Sequence, residues 1–147
     1  MTAASELDAA GITDPALRAG YRLCRASSAR RGRTYYLATL LLPPAKRPYV
    51  HALYGFARQA DDMVDESGHG ADRFAAWADD VLADLDWGAT SDPVRRALLD
   101  TVTRWNIPHS YVAEFLDAMR SDLTVTGYAT YDDLVKYMWG SAAVIGL

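Results

Sequence analysis

Residues 54–66 read YGFARQADDMVDE. On an α-helix, positions three and four apart share a face. Tyr54, Arg58, Asp61 and Asp65 step by four, three and four, so they form one stripe. Val50, Leu53, Ala57, Ala60 and Val64 form a second stripe, one residue out of phase, which is a rotation of about 100°. The apolar stripe predicts a buried face, and the polar stripe is expected at its border.

The polar stripe carries an unusual charge load. Asp61, Asp62, Asp65 and Glu66 place four acidic side chains within six residues. Carboxylates one turn apart repel by a few tenths of a kcal/mol in an isolated helix. They are also hard oxygen donors. Magnesium takes one or two such groups from a protein and completes its shell with water and phosphate oxygens. Asp61, Asp62 and Asp65 are therefore candidate metal ligands. Arg58, one turn before Asp61, could pair with Asp62 or contact a phosphate directly. The competing reading is a solvated acidic face.

Outward from this helix, helix signals dominate. Asp14-Pro15 and Asp92-Pro93 each set a capping residue before a proline at the first helical position. Asn106 and Pro108 resemble that pattern out of step, and Thr130 with Asp133 resembles a capping box. Helices are expected near 15–28, 30–41, 45–66, 71–86, 93–105, 109–126 and 131–147, with no strand-like alternation: an all-α chain forming a single domain over 1–147. The ending YMWGSAAVIGL, from Tyr137 to Leu147, is apolar and lacks a stop signal. It suggests the N-terminal part of a domain truncated on its C-terminal side; a complete bundle with a buried last helix is the alternative.

Composition narrows the function. Of 147 residues, 50% are hydrophobic and 23% charged, which suits a folded chain. Fifteen basic against nineteen acidic residues, net −4, argue against nucleic acid as a partner. The one cysteine, Cys24, excludes an internal disulfide framework, and its reading is a small buried residue. His51, His69 and His109 are scattered and form no zinc motif. Neither a membrane span nor a secretory signal is present, so the expected location is cytoplasmic. Arg30, Arg31, Arg33, Lys46 and Arg47 form a basic cluster that could attract diphosphates or anionic lipid head groups, leaving a peripheral membrane contact open. Trp77, Trp87, Trp105 and Met119, at helical spacings, are expected in the core.

With these residues in view, YGFARQADDMVDE resembles the first aspartate-rich motif of the phytoene and squalene synthase family, the head-to-head prenyl transferases. Three further segments agree in order. Gly32-Arg33-Thr34-Tyr35 followed by Leu41-Leu42-Pro43 resembles the family's segment at the active-site mouth. MRSDLTVTGYATYDDL, from Met119 to Leu134, resembles the stretch with an M-x-x-D-L element, whose aspartate is Asp122. YMWGSAAVIG resembles a helix in which a tyrosine, here Tyr137, precedes small residues. The resemblance covers roughly residues 20–147. Two departures stand out: Gly32 and Thr34 replace two serines common in the family, and Trp139 stands where a second tyrosine is common.

The resemblance implies an isoprenoid-synthase bundle around a deep apolar cavity. It implies magnesium, with manganese as the alternative ion, held by aspartate-rich motifs on facing helices. The second motif, of N-x-x-x-D type, does not occur in residues 1–147, so the chain alone is expected to be inactive and to need the remainder of the domain. The implied substrates are two prenyl diphosphates. The expected pair is geranylgeranyl diphosphate, giving phytoene in carotenoid biosynthesis. The alternative is farnesyl diphosphate, giving presqualene diphosphate or, with NADPH, squalene. A non-catalytic assembly factor with the same fold is the alternative of another class. By the resemblance, Asp61 and Asp65 serve catalysis as metal ligands, and Tyr137 faces the carbocation unless it is simply a core tyrosine. Arg58, Tyr54, Thr34, Tyr35 and Asp122 bind substrate.

Overall fold

The structure is a computed structural model that describes residues 2–67, 71–126 and 145, with side chains for 2–63, 72–120 and 145. Its described residues form seven helices and no strand. They are α1 (Ala3–Ala9), α2 (Pro15–Arg31), α3 (Arg33–Thr39), α4 (Arg47–Ser67), α5 (Ala71–Trp87), α6 (Pro93–Arg104) and α7 (His109–Thr126). The expected helix over 131–147 and the Thr130–Asp133 pair fall, apart from Ile145, outside the described residues.

Local chemistry explains the boundaries. Asp14 accepts from the Leu17 amide at 2.9 Å, and Asp92 accepts from the Arg95 amide at 2.9 Å, each with proline following as expected. Pro43 and Pro44 lie in the break between α3 and α4. Asn106 behaves differently from its reading. It does not start α7 but ends α6, in the left-handed region at φ 51°. The Ile107 amide then reaches back to the Val102 carbonyl at 3.0 Å, closing the last turn in the manner of a Schellman motif.

Helix α1 was not expected. Its start is a capping box in which Thr2 and Ser5 satisfy each other's backbone amides at 3.0 and 3.1 Å. Seven residues is too short for helical periodicity to show, and such a helix persists only by packing on its neighbours.

The centre is three helices: α2 packs on both α4 and α6, and α4 packs on α6. Close approach depends on two glycines. A methyl on Gly20 would fall 2.2 Å from the Pro93 carbonyl oxygen, and one on Gly55 would fall 2.6 Å from Cys24 Sγ. Tyr21 on α2 donates to Asp100 on α6 at 2.6 Å, so this buried phenol has a partner. Helices α5 and α7 pack together beside α4. Phe56 of α4 is fully buried between Trp77 of α5, 5.7 Å away, and Phe115 of α7, 5.6 Å away. Full burial of such a ring stabilises by about 1.5–3 kcal/mol. Ile145 also lies in this core.

The core reading holds for Met119, which is fully buried, and for Trp77 and Trp105, which pack against the core. It fails for Trp87, which is 84% exposed. Trp87 is the last residue of α5, and Gly88 turns the chain away at φ 81°, so among the described residues no neighbouring helix covers the indole.

Candidate active site

The apolar stripe of α4 does face the core: Leu53, Ala57 and Ala60 are buried. The polar stripe goes further in than its expected border position, because Tyr54 and Asp61 are also buried, at 6% and 8% exposure. A helix enclosed on several sides buries more than its most apolar face.

Three of the stripe's side chains are joined. The Arg58 guanidinium donates from Nη1 to Asp61 Oδ2 at 3.1 Å and from Nη2 to the Tyr54 hydroxyl at 3.1 Å. It also lies 5.7 Å from the centre of the Tyr54 ring. Helical spacing makes this geometry available, since the three residues lie one turn apart in succession. The carboxylate that Arg58 meets is Asp61, not the Asp62 expected from the sequence.

Asp62 is taken by another arginine. Arg31, at the end of α2, donates from both terminal nitrogens to both Asp62 oxygens, each at 2.6 Å. This fork-to-fork geometry is the strong form of an arginine–carboxylate pair. The bond to Asp62 holds the Arg31 guanidinium above its ordinary range. The two arginines relieve the repulsion that the clustered carboxylates would otherwise cause.

The segment expected at the mouth lies beside this stripe. Gly32, at the joint of α2 and α3, sits against the Tyr54 ring. Tyr35 is exposed, and its ring centre is 6.0 Å from that of Tyr54. Thr34 is exposed in the first turn of α3. Asp65 lies one turn beyond Asp61 in the same unbroken helix, and Asp122 lies in α7, but their side chains are outside the described residues. Tyr137 is outside them altogether.

The basic cluster does not survive as a unit. Arg30 and Arg33 are exposed, Arg31 binds Asp62, and Arg47 turns inward to Glu6 and to the carbonyls of Leu40 and Leu42. Neighbours in sequence diverge here because they sit on three different helices. Sequence reading missed Glu6 entirely. The only signal was a glutamate in a short, small-residue segment.

Asp61 and Asp62 supply hard carboxylate oxygens. Among the described residues no three His, Cys, Asp or Glu side chains converge as a ready metal site. Such a donor set could suit an ion that takes one or two carboxylates and fills the rest of its shell from water and phosphate, not a zinc ion that needs three or four protein ligands. No described helix is long and apolar enough to cross a membrane.

The described residues, helical and without a strand, with a largely buried arginine–carboxylate stripe, fit the all-α isoprenoid synthase class. Comparison with known proteins narrows this. The family model of squalene/phytoene synthases matches residues 28–147. The bifunctional protein CrtB/UppS of Streptomyces coelicolor is 34% identical over 138 residues, covering 92% of this chain and 24% of that protein. The 15-cis-phytoene synthase of Synechococcus elongatus is 34% identical over 134 residues, covering 89% of this chain and 43% of that protein. The phytoene synthase of Arthrospira platensis is 33% identical over 137 residues, covering 90% and 44%. The chain belongs to the squalene/phytoene synthase family. It spans less than half the length of these curated relatives.

Proposed function

We propose that this chain forms part of a magnesium-dependent enzyme that condenses two prenyl diphosphates head to head, with two geranylgeranyl diphosphates giving phytoene as the favoured reaction. The names of the relatives support the phytoene reading. The observation that carries the chemistry is the joined set of buried Tyr54 and Asp61 with the half-buried Arg58 on one stripe.

The residues divide the work as follows. Asp61 and Asp65 hold magnesium, or manganese in its place. When bound, the ion neutralises charge on the departing diphosphate, lowering the barrier electrostatically. Arg58 swings from Asp61 to diphosphate oxygens, a geometry its planar fork suits. Asp62 braces the acidic segment through Arg31 and reaches the metal only if that pair opens. The allylic fragment left behind is a cation, so the site must exclude water. The Tyr54 and Tyr35 rings, with Tyr137, offer π faces to it, worth up to about 2 kcal/mol when desolvated. Thr34 and Asp122 also bind substrate.

The test is product identification. The full synthase carrying this chain is incubated with geranylgeranyl or farnesyl diphosphate, with and without NADPH, in magnesium buffer. Phytoene from the C20 substrate is the expected outcome. Squalene or presqualene diphosphate from the C15 substrate would move the assignment to the rival product. No product, together with no magnesium-dependent binding of a diphosphate analogue, would leave a non-catalytic helical assembly factor.

A further inference from the structure

A second polar cluster lies inside the protein, away from the acidic stripe. Glu6 on α1 is 1% exposed. Its Oε1 accepts from Arg25 Nε on α2 at 2.8 Å, and its Oε2 accepts from Arg47 Nη1 at the start of α4 at 3.2 Å. Arg47 directs its remaining donors at the turn between α3 and α4. Its Nε donates to the Leu42 carbonyl at 3.1 Å and its Nη2 to the Leu40 carbonyl at 3.0 Å. Arg25 in turn lies 5.6 Å from the centre of the Tyr36 ring. Tyr36 stacks on His51 of α4 at 5.8 Å, and its carbonyl accepts from the Thr39 hydroxyl at 2.6 Å. One carboxylate on the N-terminal helix is thus tied, through two arginines, to both α3 and the turn after it.

We infer that Glu6 is a positioning residue: through Arg25 and Arg47 it clasps α3 and the 40–46 turn against α4, and so sets where Tyr35 stands beside Tyr54 of the Tyr54–Arg58–Asp61 stripe. Burying a carboxylate is unfavourable unless it is paired and hydrogen-bonded, and removing it leaves two guanidinium groups without their anion. Arg47 is itself mostly buried, with its side chain 11% exposed. Without Glu6 it gains by turning to water, and its two carbonyl bonds go with it. A carboxylate that served α1 alone would have no reason to share its second oxygen with the arginine that holds the mouth turn. The consequence for substrate rests on the function proposed above; the clasp itself does not.

Amide hydrogen exchange and steady-state kinetics on the full synthase carrying this chain test the idea. The variants are Glu6→Gln, Arg47→Lys and, as a control for α1, Asp8→Asn, which removes only the exposed Asp8–Arg18 pair. Glu6→Gln is expected to speed exchange in residues 34–46 about tenfold or more, with α6 unchanged. It is also expected to raise KM for the prenyl diphosphate about fivefold or more, with a smaller change in kcat. Asp8→Asn is expected to affect α1 alone. Faster exchange in Glu6→Gln confined to residues 3–10 would overturn the inference. If Glu6→Gln loosens every helix, Arg47→Lys decides. Lysine keeps a charge near Glu6 but cannot serve both carbonyls, so faster exchange limited to the turn supports the clasp and unchanged exchange overturns it. Faster exchange with an unaltered KM overturns the positioning role while leaving the proposed reaction standing. A wild-type synthase inactive on every prenyl diphosphate overturns the reaction, and the exchange data then decide the clasp alone.

Discussion

Gly32 packs so closely against Tyr54 that a methyl group at position 32 would come within 2.3 Å of the phenol's Cε2, Cζ and Oη. The ring that hydrogen-bonds Arg58 therefore occupies the space where a side chain would be. This gives a physical reason for a departure noted in the sequence. A serine at this position requires a different placement of Tyr54, so the loss of the hydroxyl and the seating of the ring belong together.

Gly32→Ala is accordingly expected to displace the Tyr54 ring and break its bond to Arg58. The backbone, at φ −127°, is not in the left-handed region, so the chief obstacle to alanine is the ring. Overpacking of this kind typically destabilises by about 1–3 kcal/mol. Thermal unfolding should show a lower midpoint, and turnover in the full synthase should fall. An unchanged midpoint with unchanged turnover would mean that the ring moves aside freely.

Asp61→Asn and Asp65→Asn are each expected to lower turnover by about two orders of magnitude or more, since each removes charge from the proposed metal site. Folding should survive in Asp61→Asn, because asparagine still offers Arg58 an acceptor. Titration of magnesium with a diphosphate analogue should show weakened binding. Full activity in either variant would remove that residue from the metal site.

Stability should depend on pH through His51. Burial pushes its imidazole down to about 4 from the usual 6.5; Glu6 opposes that shift, and Arg25 and Arg47 add to it. The unfolded chain then binds the proton that the folded one refuses between those two values. Stability is complete above about pH 6.5 and is lost as pH falls toward 4, by up to about 3 kcal/mol. Urea unfolding at pH 7 and pH 4.5 measures this, and His51→Phe should flatten the slope. An equal slope in that variant would assign the acid sensitivity elsewhere.

The thiol of Cys24 should be inert in the native protein. Burial, with a smaller contribution from the Asp92 charge, pushes it up to about 12, and the residue is fully enclosed where α2 meets α4. A thiol reagent is expected to label it only as the chain unfolds. Gly55→Ala, which wedges a methyl against Cys24, should make labelling faster. Rapid stoichiometric labelling of the native protein would contradict the packing of these helices.

How much was legible in the sequence differs from residue to residue. Helical periodicity alone placed Tyr54, Arg58 and Asp61 on one side of α4, and proline after aspartate placed the starts of α2 and α6. Neighbours within a helix are set by its pitch, which is the same in any context. Local readings failed where a residue's role depended on the next element. Asn106 closes one helix instead of opening another, and Trp87 lacks a cover because α5 stops beneath it. A resemblance at the level of motifs named the family that the comparisons then established.

The sequence by itself determined the all-α class, the amphipathic acidic helix and the membership of its polar stripe, because these follow from contacts between residues three or four apart. Only the tertiary structure decided that Arg31 crosses from α2 to take Asp62, and that Glu6 reaches Arg47 from another helix. Those pairings depend on which helices lie side by side, and packing of the whole core sets that arrangement.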